Sequence, residues 1–230
     1  MKKWEKVKKI LKYLAYAAIV GMMFYILFVD KEMLREKYLQ IHWISPNASA
    51  KPVIYLYPES ETEVTVTLDL DGEFTSTWPP YEDGWTVTAL PDSTLYDADS
   101  EEYYCLFWEG DLNYTVDFSE GFCVRGEDTA AFLQETLSAL GLTPREYNEF
   151  IVWWLPQMQD NAYNLINFVW EEYDTAAPLD ITPAPDTLLR VFMVWQASEN
   201  FVEIPVPNLP AAPQRNGFTV IEWGGTEIEK

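Results

Sequence analysis

Histidine is almost missing from this chain of 230 residues: His42 is the only one, and cysteine occurs just twice, at Cys105 and Cys123. Nucleophile pairs of the Ser–His or Cys–His kind need an imidazole beside the nucleophile, so none can be assembled from the residues after position 50. A histidine-built zinc centre fails for the same reason, and two cysteines fall short of the usual four-ligand set. Positive charge is also scarce after position 50. Nine of the fifteen Lys and Arg residues come earlier but only four of the thirty-seven acids do, which leaves residues 51–230 with six cations against thirty-three carboxylates, a net −27. Such a surface repels phosphate backbones, whose binding relies on Lys and Arg to release counterions. Nucleic acid is therefore not an expected partner. A composition with 48% apolar and 16% aromatic residues belongs to a folded domain and not to an acidic disordered one.

The first fifty residues have what the remainder lacks. "LKYLAYAAIVGMMFYILFV", residues 11–29, holds one charge, Lys12. As a helix it reaches roughly 28 Å, close to the ~30 Å hydrocarbon core of a bilayer. Six lysines crowd the first twelve residues and three cations follow the run, a bias that keeps the N-terminus inside. The small-residue stretch "NASA" (47–50) resembles a signal-peptidase site, but twenty residues, including the charged "DKEMLREKYLQ", separate its last position, Ala50, from Val29. A cleaved signal carries its site close behind the apolar run. The expectation is a single-pass signal-anchor in the cell membrane: residues 1–10 a cytoplasmic basic segment, 11–29 the transmembrane helix, 30–50 a stalk or linker containing His42, and 51–230 an extracytoplasmic domain on the cell surface.

Beyond residue 50 the period becomes two. "PVIYLYP" (52–58), "EVTVTLDL" (63–70), "GWTVTAL" (84–90), "TLYD" (94–97) and "EYYCLFWEG" (102–110) read as strands, with Asp71-Gly72 the favoured chemistry for a tight hairpin. The period then changes to 3.6. "EDTAAFLQETLSALG" predicts a helix ended by Gly141. "TPREYNEFIVWWLP" predicts a second, with Thr143 as N-cap, Pro144 at the first position, Glu146 completing a capping box and Pro156 ending or kinking it. "AYNLINFVW" (162–170), "TLLRVFMVWQ" (187–196) and "GFTVIEWGG" (217–225) return to strand. The second of these is apolar on both faces and should be central, and the third is expected to close the sheet. The fold class is α+β: one mostly antiparallel β-sheet or sandwich domain with a packed helical hairpin. "KPVIYLYPE", "YEDGWTVTALPDSTL", "FSEGFCVRGEDTAAFL", "LGLTPREYNEFIVWWLPQM" and "GFTVIEWGG" together resemble an uncharacterised family of surface proteins of clostridia and related Firmicutes, over about residues 51–225. The resemblance implies one coherent domain at a bacterial cell surface and carries no catalytic residues with it.

Candidate chemistry is sparse. Glu109 and Asp111 flank Gly110 beside Trp108, and a carboxylate pair with aromatics is what glycoside hydrolysis uses; a solvated turn is the plainer reading. "DLDGE" (69–73) and "DADSE" (97–101) alternate oxygen ligands as calcium loops do, without completing the twelve-residue pattern, and turns explain both. Trp78, Tyr81 and Trp85, with Trp108, are candidates for an exposed stacking platform, although packing in the core is the commoner use of such rings. Arg190, inside an apolar strand, needs a carboxylate partner if buried and is also a candidate for a ligand's acidic group. Cys105 and Cys123 are equally readable as a disulfide and as two thiols. Three functions follow: a surface-displayed binding or interaction domain for extracellular glycan or protein, a carboxylate-dependent glycan hydrolase, and a structural component of the envelope.

Overall fold

Alternation of β-branched and polar residues builds the first strands as the sequence predicts. In "TEVTVTL", Val64, Val66 and Leu68 are buried while Glu63, Thr65 and Thr67 turn toward water. The computed structural model describes residues 50–113, 115–116 and 118–228, all of which fall in one compact unit. A seven-stranded sheet runs in the order β3 (Gly72–Trp78), β7 (Leu106–Leu112), β1 (Ala50–Tyr57), β12 (Thr219–Glu227), β11 (Thr187–Ser198), β9 (Tyr163–Val169), β8 (Phe122–Arg125). A five-stranded sheet runs β10 (Leu179–Thr182), β2 (Thr62–Leu68), β4 (Trp85–Ala89), β5 (Leu95–Tyr96), β6 (Glu102–Tyr103). Neighbours are antiparallel except β11 and β12, which are parallel. Parallel neighbours need a crossover of a dozen or more residues, and the proline-rich strap 199–218 supplies it.

The two sheets sandwich one core, which includes Ile54, Leu56, Val66, Val87, Trp108, Phe192 and Val220. On the far face of the seven-stranded sheet lies a second core. There α1 (Thr129–Leu140) and α2 (Pro144–Met158) pack Leu133, Leu137, Phe150 and Trp154 against Tyr55, Val191, Met193 and Trp223. The domain thus has three layers: sheet, sheet, helical hairpin. Buried on both faces, β1, β11 and β12 read as near-continuous apolar runs. A short helix, α3 (Glu171–Ala176), links β9 to β10.

Gly141 ends α1 in the left-handed conformation, and its N–H donates to the carbonyls of Leu137 and Ser138. The capping box forms as predicted, the Thr143 N–H donating to Glu146 Oε2 at 2.7 Å. Four local expectations are corrected. Asp71-Gly72 makes no hairpin: β2 and β3 lie in different sheets, and Gly72 is needed because a Cβ there would run into the Asp111 carbonyl. The strand expected over 102–110 breaks at Tyr104–Cys105, where the chain leaves the five-stranded sheet as β6 and enters the seven-stranded one as β7. The third correction is at α2, which continues through Pro156 to Met158. Last, β12 does not close an edge. It is central, paired with β1 on one side and β11 on the other, and a Cβ at Gly225 would run into the Met193 carbonyl and the Trp154 ring. The stalk also stops one residue early, since Ala50 opens β1. The basic segment 1–10, the membrane helix over 11–29 and the stalk up to residue 49 lie outside the described residues. Among the described residues no helix is long and apolar enough to cross a membrane.

Candidate functional site

Antiparallel register places Val53 opposite Phe107, and Phe107 opposite Trp78, so a row of side chains crosses β1, β7 and β3 on one face. Residues directly opposite in an antiparallel pair share a face. Two positions along β7, Glu109 joins the same side. This row floors a cleft of about 480 Å³. Trp153 of α2 forms one wall, and the corner where β6 gives way to β7 forms the other, with Glu102, Tyr103, Tyr104 and Cys105. Lys51 enters from the start of β1. It adopts a left-handed conformation, φ 52°, uncommon for a residue other than glycine.

Three large rings on this cleft stand in solvent: Trp78 is 59% exposed, Tyr104 50% and Trp153 40%. Trp78 meets Tyr103 edge-on with ring centroids 5.9 Å apart. Glu109 Oε1 accepts the Lys51 backbone N–H at 3.2 Å, and the Lys51 ammonium lies over the Trp153 ring, 4.6 Å from its centroid. Glu102 Oε2 accepts the Tyr96 hydroxyl at 3.0 Å. Burial, with the nearby Glu149 carboxylate adding to it, pushes the Cys105 thiol up to about 12. Tyr104 is pushed up to about 12 as well, by burial first and then by the negative groups around it. At neutral pH both are protonated and inert as nucleophiles.

The sequence candidates are dispersed by the fold. Trp78 and Glu109 reach the cleft together. Asp111 shares Glu109's face but is exposed and does not line the cleft. Trp108 points the opposite way, fully buried between the sheets, its indole N–H donating to Glu222 at 3.0 Å. The expected row of Trp78, Tyr81 and Trp85 is not a platform. Trp85 is buried and donates to the Pro79 carbonyl, while the Tyr81 ring packs edge-on against it, its hydroxyl donating to the Leu68 carbonyl. These rings fill the sandwich because β4 turns its alternate residues inward.

Arg190 is buried as expected and finds its carboxylates. Its Nε donates to Glu222, which has no exposed surface, and Nη1 donates to Asp174 and to the Ala177 carbonyl, both at 2.9 Å. Tyr173 adds a hydroxyl bond to Glu222 at 3.1 Å and a ring face under the guanidinium, 4.4 Å away. This cluster ties β11 and β12 to α3 and does not line the cleft. The disulfide is corrected: Cys105 and Cys123 are free thiols. Five inter-strand steps separate β7 from β8, roughly 24 Å at 4.8 Å each, against the ~7 Å between Cα atoms that a bridge tolerates. In "DADSE", Asp97 caps its own turn, Oδ1 accepting the N–H groups of Asp99 and Glu101, and Asp71 of "DLDGE" accepts from Asn113. Among the described residues no three His, Cys, Asp or Glu side chains converge as a metal site would require.

Sequence reasoning did not pick out Lys51, Glu102, Tyr103, Tyr104, Phe107 or Trp153 as site residues. Trp153 carried a readable signal. Phe150, Trp154 and Met158 form the buried stripe of α2 at spacing four, which leaves Trp153 about 100° off that stripe. No protein-family model, curated protein or solved structure matches the chain.

Proposed function

We propose that this domain is a ligand-binding module, held on the outer side of a membrane by the helix expected over residues 11–29, and that the cleft between β1, β3, β7 and α2 is its site. One observation carries the reading: Trp78, Tyr104 and Trp153, three of the most exposed large rings described, converge on a single concavity. Core packing does not explain rings left in water, and pockets lined by aromatics with a few polar groups are where small ligands and chain segments bind. The ligand is an extracellular molecule, glycan or peptide in class, stacked on the rings with Glu102 and Glu109 as acceptors. The hydrolase alternative retains Glu109 but loses its expected partner, since Asp111 is outside the lining. A purely structural envelope role leaves the exposed rings without a purpose.

The test is a screen of the full-length chain against glycan and peptide arrays, repeated with Trp78→Ala and Trp153→Ala. Each substitution removes a stacking wall, so a genuine hit should weaken about tenfold or more, in line with the loss of one or two aromatic contacts. Hits that bind both variants unchanged would place the ligand elsewhere and end this reading. Any bound glycan should be recovered uncleaved; cleavage that Glu109→Gln abolishes would instead favour the hydrolase alternative.

A further inference from the structure

Resting on the reading of the cleft as the ligand site, we infer that its ligand is an organic ammonium ion, recognised through a quaternary or primary alkylammonium group. The cleft already holds such a group. The Lys51 ammonium is 4.6 Å from the Trp153 centroid and 5.7 Å from that of Trp223, inside the ~6 Å over which a cation is drawn to a ring face. Lys51 is one of only six cations after residue 50; Arg190 and Arg215 are committed to buried carboxylates. The chain thus spends one of its few free ammonium groups on this aromatic wall.

The cleft has more cation-binding surface than Lys51 covers. Trp78, set edge-on to Tyr103, and the half-exposed Tyr104 present further faces. Its charge is also unbalanced: Glu102 and Glu109 face one lysine, leaving a surplus negative charge that one monocation would neutralise. The surrounding domain carries −27, which draws cations in and turns anions away.

Charge and donors separate this ligand from a neutral sugar. No Asn, Gln, Ser, Thr or Arg side chain lines the cleft; its donors are confined to indole and phenol groups, a thiol and Lys51. A neutral sugar could give hydroxyl protons to Glu102 and Glu109, but it would leave their surplus negative charge unbalanced and find few donors for its own oxygens. An alkylammonium needs only ring faces and a carboxylate, and aromatic cages are the recurring solution for it.

The experiment is calorimetric titration of the full-length chain, kept in a polyoxyethylene detergent, with choline, n-butylammonium, 3,3-dimethyl-1-butanol and maltose. The third is the uncharged carbon counterpart of choline, and the first two distinguish quaternary from primary sources. At least one cation should bind about tenfold tighter than the neutral alcohol. Trp78→Ala, Trp153→Ala and Glu102→Gln should each weaken it, and Lys51→Met should tighten it several-fold by removing a like charge. Equal binding of alcohol and cation, lost in Trp153→Ala, would overturn the ammonium assignment and leave the cleft as the site. So would binding of maltose or of an array hit through the same tryptophans with neither cation bound. Cation binding indifferent to both tryptophan substitutions would overturn the cleft reading along with the assignment. No binding of either cation would overturn the ammonium assignment, and the array screen would then decide the cleft.

Discussion

Glu222 and Glu146 are carboxylates with no exposed surface, and each is held by an arginine from a distant part of the chain. Removing one member of a buried pair leaves the other uncompensated, which typically costs about 3–5 kcal/mol, whereas replacing both by apolar residues is often close to neutral. Arg190→Met should therefore destabilise the domain strongly, and Arg190→Met with Glu222→Leu should recover part of the loss but not all, since Trp108 and Tyr173 also donate to Glu222; denaturant midpoints measure both. Glu146 makes a bidentate pair with Arg215 while closing the capping box of α2. Burial works to raise its pKa, but Arg215 and the Thr143 N–H outweigh it and hold the carboxyl below its ordinary value of 4.5. A depressed folded pKa means the contribution is complete above the unfolded value and is lost as pH falls through the folded one. The stability difference between wild type and Glu146→Gln should accordingly be constant near neutrality and shrink below about pH 4.5. A difference that stays flat into acid would show that the pair does no such work. The two thiols give a simpler check. Mass should not change on reduction, and in the native state Cys123 should react with a thiol reagent well before the buried Cys105.

Elements were legible where one period ran unbroken and illegible where the chain changed layer. Thr143, Pro144 and Glu146 announce the start of α2, and Gly141 the end of α1, because helix termini are solved by local side chains. Gly141 has φ 105°, and a Cβ there would lie 3.0 Å from that of Ala212; Gly141→Ala should cost about 1–2 kcal/mol by denaturation. No local signal marks Tyr104–Cys105, where one apparent strand becomes β6 and β7 in different sheets. Its alternation is kept on both sides of the break, and what ends the pairing is the partner strand. Asp71-Gly72 misled for a related reason: the glycine answers a backbone pressing from β7, a contact 39 residues away in sequence. Arg190 could be read as a buried, paired cation from its apolar flanks, but Tyr173 on α3 could not, since a six-residue helix leaves little periodicity.

At the scale of the molecule, the layered α+β architecture follows from runs that are apolar on both faces lying between runs that alternate. The cleft does not follow in that way. Its residues come from four stretches of chain, around 51–53, 78, 102–109 and 153; of them the sequence marks Trp78 and Glu109 as candidates for binding or catalysis and Cys105 only as a thiol or disulfide partner. The apolar run over 11–29, if it spans a bilayer, predicts that full-length chain remains with membranes through an alkaline carbonate wash, and the lysine-rich N-terminus predicts that protease added outside intact cells removes residues beyond 50. Recovery in the cytosolic fraction would refute the tether. The central claim, that the aromatic cleft is where this molecule meets its ligand, is tested most directly by fluorine NMR of full-length chain carrying 5-fluorotryptophan, titrated with choline or, where choline does not bind, with the hit from the arrays. Ten tryptophans give resonances assignable by single Trp→Phe variants. The account predicts that Trp78 and Trp153 shift while buried Trp108 and Trp195 hold still; shifts confined to tryptophans outside the cleft, such as Trp170, would contradict it.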